Sequence, residues 1–263
     1  MVFDTWLDMP IWGIFASLAG MFIGFAILIH WLCFAKATRK RASSLGGVVA
    51  PFFGSVAVLF SLLTGFLANE VWDRNRQANR GVLAERDGLL AIHAISVATV
   101  SDMTEIRAAA QRYARTLIDH EWPRMTQQET SPEAGQALLS LLSLVSNPQI
   151  SVDAGGPAQS ALLDTVLKLR SARYDRLALS GDQTDRTKWT AVLILGLITQ
   201  LAIAIVHLDK PRAQLAALTI FSAAAIVALG LVAIRERPFD GPLHISPAPL
   251  EGALQVLARE AEG

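Results

Sequence analysis

Four long runs of the chain carry no charged side chain: residues 11–35, 46–69, 189–208 and 213–234. Each is near or above the about 20 residues a helix needs to cross a hydrocarbon core of ~30 Å. A backbone inside lipid must satisfy its own hydrogen bonds, so single runs of this kind are predicted to be helices. Between the second and third runs the pattern changes to short polar and apolar periods. The order is hairpin, insert, hairpin, tail. It predicts an all-α integral membrane protein with four transmembrane helices: a first hairpin over 1–72, a helical extramembrane insert over 73–188, a second hairpin over 189–234 and a polar C-terminal tail over 235–263.

Within the insert, "SDMTEIRAAAQRYARTLIDHEW" offers Asp102 as a helix cap with Glu105 three residues on. Ile106, Tyr113 and Leu117 then recur near helical spacing. "SPEAGQALLSLLSLV" begins with Ser131 as cap and Pro132 at the first helical position, and Asn147-Pro148 ends it. "DAGGP" reads as a loop. A last helix is expected from about Ala158 to Leu179. No segment alternates clearly enough to be a strand.

Composition sharpens this picture. Hydrophobic residues make up 52% and charged residues 17% of 263, against about 25% charged in soluble proteins. Net charge is zero, so no global field points to nucleic acid. Cys33 is the only cysteine, which excludes an intrachain disulfide. The first run is too long for a signal-peptide core, and Asp4 and Asp8 precede it with no Lys or Arg. The expected location is the cell membrane, multi-pass, and the inner membrane in a bacterium. Lys36, Arg39, Lys40 and Arg41 follow the first run and favour a cytoplasmic hinge, although Arg74, Arg76, Arg80, Arg186, Lys188, Arg235 and Arg237 compete from the other side.

Enzyme chemistry finds no support. HExxH, GxSxG, Walker, GxGxxG and paired-cysteine motifs are all missing from the sequence, so neither catalytic residue, metal site nor cofactor is expected. Asp119, His120 and Glu121 are consecutive and point about 100° apart on a helix, unlike ligands at i, i+4. His30 and His207 lie near span ends and read as hydrogen-bonded or interfacial. Trp72 and Trp189 read as headgroup-level anchors, and Gly20 and Gly24 as a close-packing pair within the fold. A proton-coupled transporter would commonly place an ionisable group mid-span, and the runs hold none.

The stretch "GFLANEVWDRNRQANR" at 65–80 passes from apolar to charged with no proline. A helix continuing out of the membrane this way could carry side chains from a pore into a vestibule. Steps of four give Val58, Leu62, Phe66, Glu70 and Arg74 on one stripe. Around a symmetric assembly, the first three would form stacked apolar rings, which gate by dewetting. Helix packing or lipid contact is the plainer use of such a stripe.

"TGFLANEVWDRNRQANRGVLAERDGL" resembles the segment of bacterial bestrophin channels where the second span leaves the membrane. Phe66, Asn69, Trp72, Asp73 and Arg74 match. "RPFDGPLHISPAPLEGAL" is similar to the turn after the fourth bestrophin span, through Pro238, Phe239, Gly241, Pro249 and Leu250. "YARTLIDHEWPRM" with the tail looks closer to a bestrophin-like membrane family of unknown function. The resemblance covers about 46–254. It implies a homopentamer with one axial pore and conduction of small inorganic ions, with anions favoured. It makes Val58, Leu62 and Phe66 neck candidates and Asn69, Glu70, Asp73 and Arg74 pore-mouth candidates. The family pattern has two aromatics after Asp-Arg, where Asn75 and Arg76 stand here. The acidic cluster that animal bestrophins use for calcium has no counterpart in "PFDGPLHISPAPLEG". The expected partners are the lipid bilayer, further copies of the chain and ions. A non-conducting membrane interaction protein that presents the insert to a partner is the alternative.

Overall fold

A computed structural model describes residues 2–40, 44–45, 50–99, 101–125, 127, 129–181 and 186–259. Arg41 of the basic hinge and the start of the second apolar run, 46–49, lie outside these. The described residues form helices without strands: α1 (Val2–Leu7), α2 (Ile11–Phe34), α3 (Ala50–Ala98), α4 (Thr104–Thr116), a π-helical turn (Leu117–Glu121), α5 (Trp122–Met125), α6 (Pro132–Val145), α7 (Pro148–Ala154), α8 (Gly156–Gly181), α9 (Arg186–Val206), α10 (Pro211–Ala233) and α11 (Ala248–Arg259). Four of them, α2, α3, α9 and α10, are long and apolar enough to cross a membrane.

The chain divides into two compact units. The first holds residues 1–73, 183–236 and 241–243; the second holds 74–182, 237–240 and 244–263. In the first, Ile14, Leu18 and Phe22 of α2 are buried with Phe60, Leu67 and Val71 of α3, Val192 of α9 and Leu229 of α10. Two glycines permit the close fit. A Cβ at Gly230 would run into the Phe15 ring, and one at Gly196 would stand 2.8 Å from Phe22. The Gly20 and Gly24 pair, expected to pack inside the fold, instead meets open space. Its flat face is not used within this chain, because the aromatic rings of α2 pack against glycines on other helices.

In the second unit, Val82, Leu89 and Ile92 of α3 share a core with Ile106 and Tyr113 of α4, Leu141 and Val145 of α6, and Leu162, Val166 and Leu169 of α8. Ser131 caps α6 as its spacing suggests, accepting from the Ala134 N–H at 3.2 Å. Asp102 accepts from the Thr104 N–H at 2.9 Å, just ahead of α4. The "DAGGP" stretch is a one-residue break: Gly155 takes φ 88 between α7 and α8, a conformation suited to glycine. The residues after α10 do more than trail in solvent. Phe239, Leu250, Ala253 and Leu257 join this second core, and α11 presents the last three at helical spacing.

Candidate pore-lining face and buried polar clusters

Helix α3 runs unbroken from Ala50 to Ala98. Strong helix formers and no proline follow Pro51, and nothing at 65–80 stops the propagation. Gly81, the one residue there suited to end a helix, is buried instead, with Arg176 3.7 Å from where its Cβ would be.

One face of the apolar part of α3 packs, and the other is bare. Phe60, Leu67, Ala68 and Val71 are buried. Val58, Leu62 and Phe66 are 64%, 53% and 63% exposed. Asn69 continues the exposed face and Asp73 is half-buried. Arg74 does not continue it, being 6% exposed. The reason is helical pitch. At 100° per residue, each step of four overshoots a turn by ~40°, so four steps from Val58 to Arg74 turn by about 160°. Alternating steps of three and four keep to one face and select Asn69 and Asp73. Glu70 has begun the same drift, and its carboxylate meets Lys188 Nζ of α9 at 2.5 Å.

The tryptophans divide differently from expectation. Trp72 is 40% exposed, in keeping with an interfacial ring. Trp189 is buried rather than anchoring at the headgroups, because Trp6 stacks edge-on to it at 5.4 Å and its indole N–H donates to Glu236 at 3.1 Å. Trp12 and Trp31 are the most exposed tryptophans of α2, at 75% and 62%.

Apart from Glu236 beyond the end of α10, neutral groups supply the buried polar chemistry of the first unit. Gln200 Nε2 donates to the Phe22 carbonyl at 2.9 Å and to Ser222 Oγ at 2.8 Å. Gln214 Nε2 donates to the Ala204 carbonyl at 2.8 Å, so its Oε1 is left to accept from His30 Nδ1 at 2.8 Å. That places the His30 proton on Nδ1. His207 Nδ1 faces the Ile203 carbonyl at 2.9 Å and must also be the donor.

In the second unit four buried charges meet in one cluster. Arg176 of α8, fully inaccessible, pairs with Glu85 at 2.7 Å and with Glu121 at 2.6 Å. Arg173 donates through Nε to both Glu121 oxygens at 3.1 Å and through Nη2 to Glu121 as well. The Tyr113 hydroxyl donates to Glu85 at 3.3 Å. Met125 sulfur also lies against Arg176, whose guanidinium stands 5.6 Å from the Trp122 ring. Burial pushes the Glu121 carboxyl up, but the Arg173 hydrogen bond and the Arg176 charge outweigh it and hold it below its ordinary range. Burial, followed by the Glu85 charge, pushes the Tyr113 phenol well up.

Sequence reasoning set Glu121 aside with Asp119 and His120 as a failed metal site. The π-helical turn shows the different use: Glu121 points into the core while Asp119 and His120 face outward. Arg173 and Arg176, three apart on a helix with apolar neighbours, were the available signal. Their partners lie 52 to 91 residues away in sequence, beyond local patterning.

Comparison with known proteins agrees with this architecture. A search among curated proteins finds no match. Two point variants of a bacterial bestrophin homologue from Klebsiella pneumoniae superpose with a TM-score of 0.72 at 11% identity, covering 94% of this chain and 100% of theirs. A crystal structure described as a membrane protein superposes with a TM-score of 0.70 at 12% identity, covering 92% of this chain and 97% of that one. At such identities the likeness is one of fold. The Bestrophin-like domain family matches residues 20–250. With four helices long and apolar enough to cross a membrane, the chain is a multi-pass membrane protein and belongs to the Bestrophin-like family.

Proposed function

We propose that the protein is an oligomeric ion channel whose constriction is the apolar face of α3. Copies of the chain, five by resemblance to bestrophins, would surround one axis with Val58, Leu62 and Phe66 turned toward it. The observation that carries this reading is the bare stripe itself. Three large apolar residues at helical spacing stay over half exposed on a helix whose opposite face is packed. Over eight residues they would form a neck about 12 Å long. Rings of this kind exclude water when narrow and conduct when widened. Phenylalanine also presents a positive ring edge, which suits an anion.

The polar residue that follows Phe66 on the face is Asn69, which is neutral. Lys188 offsets the Glu70 carboxylate, so that acid alone gives no reason to favour cations. Asp73 remains the acidic mouth candidate, and Arg74 contributes from off the face.

Halide and alkali-ion flux into liposomes holding the purified protein tests the reading. Wild type should pass halide, and Phe66→Ala or Leu62→Ala should raise flux or change selectivity. No flux in any of the three from intact reconstituted oligomers would leave the family fold as a non-conducting interaction protein.

A further inference from the structure

We propose that the crevice at the C-terminal ends of α2 and α9 binds an anionic phospholipid, with one acyl chain in the crevice and the phosphate among the basic residues of the adjoining turns. The cavity has a volume of about 240 Å³ and is walled by Ile29, Leu32, Cys33, Leu201 and Ile205, with Thr38 at its polar edge. Its depth in the bilayer follows from α2. Trp12 and Trp31 are both strongly exposed, and 19 residues of helix separate them by about 28 Å. That matches the ~30 Å hydrocarbon thickness, and exposed tryptophans collect at its two boundaries. The crevice therefore lies at the Trp31 boundary, where an acyl chain begins.

Charge at the same end completes the fit. Gln214 ties His30 of α2 to Ala204 of α9, so the turns that follow both helices and the start of α10 lie at one level. Lys36, Arg39 and Lys40 follow α2 and are exposed; Lys210 and Arg212 lie by the start of α10 and are exposed, with Asp209 the one acid among them. Thr38, in the crevice wall, sits between Lys36 and Arg39 in the turn. Its hydroxyl donates to the Leu32 carbonyl, which holds that turn against the end of α2. Clusters of Lys and Arg beside a span recognise anionic headgroups. An apolar slot directly beneath such a cluster matches a phospholipid rather than a free anion.

Purified protein in detergent is titrated with dioleoyl phosphatidylglycerol or dioleoyl phosphatidylcholine. Retained lipid is read by native mass spectrometry, and Cys33, the sole thiol, reports position through its maleimide alkylation rate. Phosphatidylglycerol should be retained at least about tenfold more tightly than phosphatidylcholine, and should slow Cys33 alkylation. Lys36→Gln with Arg39→Gln should remove most of that discrimination. Leu201→Trp, which fills the slot, should lower retention of phosphatidylglycerol while helical content stays unchanged. Equal retention of the two lipids by wild type would overturn the proposal. So would protection by glycerophosphoglycerol without acyl chains as strong as by the lipid, or retention unchanged in both variants.

Discussion

Within its spans the first unit buries Thr199, Gln200, Gln214 and Ser222, all neutral, with Glu236 buried just beyond α10, whereas the second joins Glu85, Glu121, Arg173 and Arg176 in one buried cluster. Each choice follows from the solvent that competes with it. In lipid a charge is costly even near a partner, and amides can reach helix carbonyls such as those of Phe22 and Ala204. In the second unit, two carboxylates and two guanidiniums cancel in charge, and most of their hydrogen-bonding capacity is used within the cluster. Such a cluster adds little net stability over apolar packing but fixes which helices meet, since α3, the π-helical turn and α8 must all be in register to satisfy it. The two units are thus specified differently: the first by shape around glycines, the second by charge pairing.

The strongest way to break this contrast is to open the charge cluster. Arg176→Leu leaves Glu85 buried with only the Tyr113 hydroxyl and strips one partner from Glu121. Stability of the detergent-solubilised protein should fall by about 3–5 kcal/mol, read from denaturant unfolding of helical signal. A loss below about 1 kcal/mol would mean that the cluster is not the register device described. Shape in the first unit is tested at Gly230. Gly230→Ala places a Cβ against the Phe15 ring and should cost about 1–3 kcal/mol through forced displacement. Gly20→Ala, which meets open space, should change almost nothing. Equal effects of the two glycine variants would remove the argument from close approach.

Neutral polar packing should matter less than either. Gln200→Leu gives up its bonds to Phe22 and Ser222, yet hydrogen bonds within membrane bundles average about 0.6 kcal/mol and reach ~1.7. Its Oε1 has no hydrogen-bond partner among the described residues, so the substitution also removes a cost. A loss near that of Arg176→Leu would show that both units depend on their polar groups alike.

Much of this was legible in the chain. The four spans, the continuation of α3 through residues 65–80, and the cap at Ser131 follow from run length, the lack of proline and local hydrogen bonding, all of which act over a few residues. The stripe Val58, Leu62, Phe66 was legible too, but extending it by fours to Arg74 ignored the ~40° overshoot per step. Trp189 read as an anchor because its position in the chain resembles that of Trp72. Only Trp6, 183 residues earlier, and Glu236 explain why it is buried. The charge cluster was hidden for the same reason: Glu85, Glu121 and Arg176 each look like ordinary surface charges until the fold joins them.

The smallest effect distinguishes a buried charge pair from an exposed one within the second unit. Glu133 lies in the first turn of α6, where its carboxylate accepts from the Ser131 hydroxyl at 2.6 Å and from Arg124 at 2.9 Å. The Ser131 bond, with a backbone N–H and the Arg124 charge, lowers it from 4.5 to about 2. A carboxylate lowered on folding stabilises the fold above its unfolded value. That contribution is complete above about pH 4.5 and is lost as pH falls toward 2. Glu121 is lowered as well, so its contribution has the same sign. Solvent screens the Glu133 pair but not the Glu121 pair. Glu133→Gln should therefore flatten the acid limb of the stability curve slightly and leave neutral stability almost unchanged. Glu121→Gln should lower stability at neutral pH, where Arg173 and Arg176 lose a shared partner, and remove more of the acid dependence. Denaturant unfolding at steps between pH 7 and pH 3 reads both slopes. If Glu133→Gln proved the more damaging of the two at neutral pH, the order given to buried and exposed pairing would be reversed.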